Sequence, residues 1–98
     1  MDGPYIRVED SGLMMPLRED VTTIGRGRSV DVHLADPTVS RLHARLERTG
    51  DRWLLTDLGS TNGTRVNGWR VRGHVQVKAG DRVSFGQAEF WLTAHEAI

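Results

Sequence analysis

Cysteine is absent from the 98 residues, which excludes a disulfide framework and any thiolate metal site. Long apolar runs are missing as well: none reaches the roughly 18 residues of a transmembrane helix. The start, Met1-Asp2-Gly3-Pro4, has no basic segment and no apolar stretch after it, so no signal peptide is expected. A cytoplasmic location is the expectation that follows. An excess of charge is lacking too, because 13 basic and 13 acidic residues cancel. That balance argues against bulk binding to nucleic acid or to an anionic membrane. Lysine is nearly missing: Lys78 is the single one, and every other basic residue is arginine. Arginine grips oxyanions through a rigid fork, whereas lysine acts as a point charge. Codon usage in a GC-rich genome would also enrich arginine, so the position of each one must decide.

What is present is a period of two. Val30, Val32 and Leu34 alternate with Asp31 and His33. Ala44 and Leu46 alternate with His43, Arg45 and Glu47. Phe90, Leu92 and Ala94 alternate with Glu89, Trp91 and Thr93, and Ile6 and Val8 with Tyr5, Arg7 and Glu9. Such alternation marks half-buried strands. Turn signals recur between them: Ser11-Gly12, Asp36-Pro37, Thr49-Gly50-Asp51, Asn62-Gly63, Asn67-Gly68, Ala79-Gly80-Asp81 and Gly86-Gln87. No segment carries a helical stripe. Short strands at this spacing predict an all-β antiparallel sandwich or barrel. One domain is expected over residues 1–98, with its core between about Tyr5 and Thr93. Alternating apolar residues consume the core, so chemistry must sit on the loops.

Three loops have unusual composition. In Ile24-Gly25-Arg26-Gly27-Arg28-Ser29, two glycines flank an arginine and allow close approach of other groups. In Asp36-Pro37-Thr38-Val39-Ser40-Arg41-Leu42-His43, a hydroxyl and a guanidinium stand side by side. In Asp57-Leu58-Gly59-Ser60-Thr61-Asn62-Gly63-Thr64, two hydroxyls precede an amide that can both donate to and accept from a peptide backbone. Val66-Asn67-Gly68 follows as a second Asn-Gly hairpin signal. If Arg26, Arg28, Arg41, Ser40, Ser60, Thr61 and Asn62 converge, they make a phosphate pocket. Periodicity alone does not show convergence.

Gly25-Arg26, Ser40-Arg41-Leu42-His43, Leu58-Gly59-Ser60-Thr61-Asn62-Gly63-Thr64 and Val66-Asn67-Gly68, in that order, resemble the forkhead-associated (FHA) domain. Gly80-Asp81-Arg82-Val83-Ser84-Phe85-Gly86 is similar to the family's last turn and strand. The resemblance implies an eleven-stranded antiparallel β-sandwich whose loops at one end hold phosphothreonine, as an adaptor module in Ser/Thr kinase signalling. It implies phosphate contacts from Arg26, Ser40, Arg41 and Thr61, and peptide-backbone contacts from Asn62 and Asn67. Gly25, His43 and Gly63 match loop-shaping positions, with His43 bracing the loop of Ser40. Arg28 and Arg65 lie outside the shared pattern and are candidates for peptide selectivity. The implied partner is a phosphothreonine-containing protein, either a kinase substrate or the kinase itself. A monomer without cofactor, metal, nucleic acid or membrane partner is expected.

Four other readings compete with this one. Ser40, His43 and Asp36 or Asp57 supply the residue types of a hydrolase triad, but a nucleophile elbow and a P-loop are both missing, so no enzyme is expected. His33, His43, His74 and His95 lack metal-ligand spacing. A nucleic-acid-binding β-domain needs exposed aromatics for stacking, and Trp69 is the one plausible candidate. A phosphate-independent interaction scaffold is the remaining alternative.

Overall fold

The computed structural model describes residues 3–8, 14–17, 20–50 and 52–95, and β-strands are the only regular elements among them. They run β1 (Gly3–Val8), β2 (Met14–Pro16), β3 (Val21–Gly25), β4 (Val32–His33), β5 (Ala44–Thr49), β6 (Arg52–Asp57), β7 (Thr64–Val66), β8 (Trp69–Arg70), β9 (His74–Val77), β10 (Arg82–Phe85) and β11 (Ala88–His95). One sheet has the order β2-β1-β11-β10-β7-β8, the other β4-β3-β5-β6-β9. None of the described residues lies in a helix long and apolar enough to cross a membrane. The Ser11-Gly12 turn signal lies outside the described residues, as do the side chains of Ile6, Val8 and Ala94.

The period of two becomes burial. Val83 and Phe85 point into the core from β10, and Phe90 and Leu92 from β11. Ile24, Ala44, Leu46, Trp53, Leu55 and Val77 face them from the other sheet. Phe85 lies at the centre, 5.7 Å from the Phe90 ring and edge-on to the His43 ring at 5.6 Å. Burying a phenylalanine is worth about 2–3 kcal/mol, so this residue fixes how the sheets meet. In β3 the usual residue types are exchanged. Thr22 is buried, while Val21 is exposed.

The expected all-antiparallel pairing needs one correction. β4 runs parallel to β3, with Ile24 opposite Val32 and Gly25 opposite His33. The cause is a clamp. The Asp31 carboxylate accepts hydrogen bonds from the Thr23 backbone N–H (2.8 Å) and hydroxyl (3.0 Å), and the Asp31 N–H donates back to that hydroxyl (3.0 Å). These bonds return the chain to the middle of β3, at Thr23, so the next residues run alongside Ile24 and Gly25. The alternating segment Val30–Leu34 therefore contains only a two-residue strand, although Val32 and Leu34 are buried as the pattern predicts.

Asn62-Gly63 is not a hairpin. It lies on the crossing from β6 in one sheet to β7 in the other. The Asn67-Gly68 hairpin does form, with β7 and β8 paired antiparallel. At the opposite end of β5 from His43, Gly50 turns the chain into β6 with φ 63°.

Candidate functional site

Antiparallel order puts the end of β3, the start of β5, the end of β6 and the start of β7 at one end of the domain. The three unusual loops emerge there. Their backbones are tied together: Arg26 N–H donates to the Ser40 carbonyl (2.9 Å) and Gly27 N–H to the Arg41 carbonyl (3.0 Å). This approach explains both glycines. A Cβ on Gly25 would collide with the Arg41 carbonyl, and one on Gly27 would stand 3.0 Å from it.

His43 is the post on which the loops hang. It is completely buried. Ser40 N–H donates to its Nδ1 (3.0 Å), so that nitrogen carries no proton. The proton is then on Nε2, which donates to the Gly63 carbonyl (2.9 Å). One neutral ring thus joins the loop of Ser40 to the loop of Asn62 and rests on Phe85. Both ring nitrogens are engaged by backbone, which leaves neither to take a proton from the Ser40 hydroxyl.

The third loop closes on the second. Thr61 N–H donates to the Ser40 hydroxyl oxygen (3.1 Å), and Asn62 Nδ2 donates to the Thr38 carbonyl (2.8 Å). Asp57 braces it from behind, accepting from the hydroxyls of Ser60 (2.5 Å) and Thr64 (2.7 Å) and from the N–H groups of Gly59 and Ser60. Burial pushes the Asp57 carboxyl up, but these hydrogen bonds outweigh it and hold the group below the usual carboxylate range. Asp36 is also held low, by the Thr38 hydroxyl and N–H. Each aspartate is therefore an ionised structural acceptor.

The sequence-derived residues sort by position. Arg26, Ser40, Arg41, Thr61 and Asn62 are carried by the three joined loops. Arg26 Nε donates to the Val39 carbonyl (3.0 Å), which fixes the stem and leaves the terminal nitrogens of the fork. Arg41 and Thr61 are exposed. Ser60 is spent internally, donating to Asp57 and accepting from Gly63 N–H (3.0 Å). Asn67 stands apart from the expectation of a peptide contact. Its Nδ2 donates to Asp81 (3.0 Å) and its Oδ1 accepts from Arg82 N–H (3.0 Å), so its amide ties the β7–β8 turn to the start of β10. Arg28 lies beside Arg41 and Leu42 along a shallow groove. Sequence reasoning passed over Thr38 and the bracing role of Asp57. Aspartate two or three residues before a hydroxyl residue, as in Asp36-Pro37-Thr38 and Asp57-Leu58-Gly59-Ser60, is the signal that finds them.

The domain is thus two β-sheets with a polar, cation-bearing surface on joined loops at one end. The sequence matches the FHA domain over residues 22–86, and the chain belongs to that family. FhaA of Mycobacterium tuberculosis, an FHA domain-containing protein, is 39% identical over 87 residues, which are 89% of this chain and 16% of FhaA. Mycobacterium tuberculosis EmbR in complex with a low-affinity phosphopeptide superposes with a TM-score of 0.92 at 32% identity, over 98% of this chain and 25% of EmbR. A structure from work on phosphothreonine-dependent FHA domain interactions gives 0.89 at 36% identity, over 97% of this chain and 99% of the other. The chain thus spans a small part of FhaA and of EmbR.

Proposed function

We propose that this domain binds a phosphothreonine-containing protein in Ser/Thr kinase signalling and performs no catalysis. The observation that carries the reading is the bond from Thr61 N–H to the Ser40 hydroxyl. It joins two loops around one hydroxyl, whose own proton is left for an outside acceptor. Arg26, Ser40, Arg41 and Thr61 supply the phosphate contacts, and Asn62 supplies its carbonyl oxygen to the peptide backbone. Gly25, His43 and Gly63 set the loop shape.

Phosphate carries nearly two charges and three acceptor oxygens at neutral pH. Hydrogen bonds to charged groups contribute about 1.5–3 kcal/mol each. Four of them at the upper value, less about 4 kcal/mol for ordering a flexible peptide, leave roughly 8 kcal/mol, which is micromolar affinity. That strength suits a reversible contact. The frame adopted is the family's eleven-stranded sandwich, acting as a monomeric unit over about residues 5–93, and in the cytoplasm where ATP-dependent kinases work.

The test is calorimetric titration with a degenerate peptide library fixed at one central residue. The expected result is binding of the phosphothreonine library, with weaker or no binding of the phosphoserine and threonine libraries. Arg26→Ala should weaken it at least about fiftyfold with the fold intact by circular dichroism. Full affinity in folded Arg26→Ala would remove the phosphate site from these loops.

A further inference from the structure

Both sheets end on the same side of the domain. β8 is the last strand of one sheet and β9 the last of the other, and only Val71, Arg72 and Gly73 separate them in the chain. Between these edges lies an open groove of about 530 Å³. Val71 and Val75 give it an apolar floor, and Trp69 stands beside them with 80% of its surface exposed. A single exposed apolar residue is ordinary. The charges around this one are not. Asp81 is the one acid lining the groove, and its carboxylate is used by Asn67 Nδ2, Lys78 N–H and Lys78 Nζ. Arg70 and Arg72 have no ion-pair partner among the described residues. Arg70 moreover stands directly across from Arg65, and like charges facing each other in a sheet raise its free energy. The chain as a whole is neutral, yet this edge is cationic.

We infer that the groove takes an extended acidic segment of the phosphorylated partner, with an apolar side chain seated against Trp69 and Val75 and carboxylates on Arg70 and Arg72. The inference rests on the phosphothreonine reading, which makes the phosphate loops the first contact. A physical link joins the two surfaces. The Arg70 guanidinium lies over Gly63, with Cζ and Nε 3.4 Å from the place a Cβ would occupy, and Gly63 follows Asn62. A partner chain held at Asn62 runs on to Arg70 without crossing either sheet. The outer edge of β9 offers it unpaired backbone groups, as strand addition requires.

The test compares two probes in calorimetry. One is the phosphothreonine peptide library alone. The other is the same library joined, at either end, through a Gly/Ser linker of about twenty residues, which reaches ~25 Å, to the segment Glu-Val-Glu-Leu-Glu. The extended probe should bind about tenfold tighter in one of its two versions. Trp69→Ala and Arg72→Glu should each remove that gain and leave the unextended library at wild-type affinity. Equal affinity of both probes for the wild-type domain, or a gain that survives both substitutions, overturns the inference. A dimer in sedimentation that Trp69→Ala dissociates also overturns it, by giving the groove to a second copy. If neither phosphopeptide binds, the phosphothreonine reading falls on its own. Glu-Val-Glu-Leu-Glu alone then decides: it should alter tryptophan emission in wild type and not in Trp69→Phe, and an unchanged wild-type emission overturns the groove.

Discussion

Asn62-Gly63 and Asn67-Gly68 are the same dipeptide, separated by Thr64-Arg65-Val66, and they do different things. In the second, Asn67 (φ 52°) and Gly68 (φ 86°) are both left-handed, as a two-residue hairpin of type I′ demands. In the first, only Gly63 has positive φ, at 88°, and the chain crosses between sheets. Each turn stands on an aspartate: Asp57 gathers Ser60 and Thr64, and Asp81 gathers Asn67 and Lys78. The side chains part company from there. Asn67 uses one N–H and its carbonyl oxygen inside the domain, whereas Asn62 spends one N–H on Thr38 and keeps its carbonyl oxygen. The dipeptide permits a backbone shape, and the partners around it choose the task. The second turn ties strands together, and the first leaves an amide oxygen at the joined loops.

The largest effect should come from the post behind the first turn. His43→Ala removes two buried hydrogen bonds and an edge contact with Phe85, and should cost about 3 kcal/mol in denaturant unfolding. Phosphopeptide affinity should fall with it. A loss under about 1 kcal/mol would mean that the first turn is as self-contained as the second. Crossing the two asparagines sharpens the contrast further. Asn67→Ala should cost about 1–2 kcal/mol of stability, since it strands part of buried Asp81, and leave phosphopeptide affinity unchanged. Asn62→Ala should cost about 0.5 kcal/mol of stability and weaken binding about tenfold. Were the two results exchanged, the division of labour proposed for the turns would be reversed.

Glycine gives a smaller effect. Nothing lies within 4 Å of a Cβ built on Gly68, so Gly68→Ala meets only the conformational penalty of a positive φ, about 1 kcal/mol. Thermal unfolding reads it. The smallest effect expected is the pH dependence of the two braces. In Asp81, as in Asp57, burial pushes the carboxyl up and hydrogen bonds, here chiefly from Lys78 N–H and Asn67, more than offset it. Both folded values therefore lie below the unfolded value of about 3.9. The stability they lend is complete above that pH and is lost as pH falls through the folded values. Melting midpoints should decline below about pH 4, and Asp57→Asn should flatten that decline.

The strands were readable because burial takes every second residue, as in Val83 and Phe85 or Phe90 and Leu92. The direction of β4 was not readable, because it is set by Thr23 and Asp31, a contact across a turn that no alternation records. Gathering Arg26, Ser40 and Thr61 at one end was also beyond periodicity, since three loops meet only through backbone bonds. The motif resemblance supplied the grouping. It groups Asn67 with them as a peptide contact, and a motif preserves residue types without saying that one N–H and the oxygen of that amide already bond Asp81 and Arg82. His43 was read as a brace, but a lone histidine in a loop gave no sign that its ring is sealed beneath both loops.

The Gly50 turn lends itself to engineering. It lies about 23 Å from His43 along β5, at roughly 3.3 Å per residue, and nothing lies within 4 Å of a Cβ built there. A fluorophore, an affinity tag or an inserted reporter placed at Gly50 would leave the loops at the other end untouched. The domain thereby offers a handle for immobilisation on the side facing away from the three joined loops.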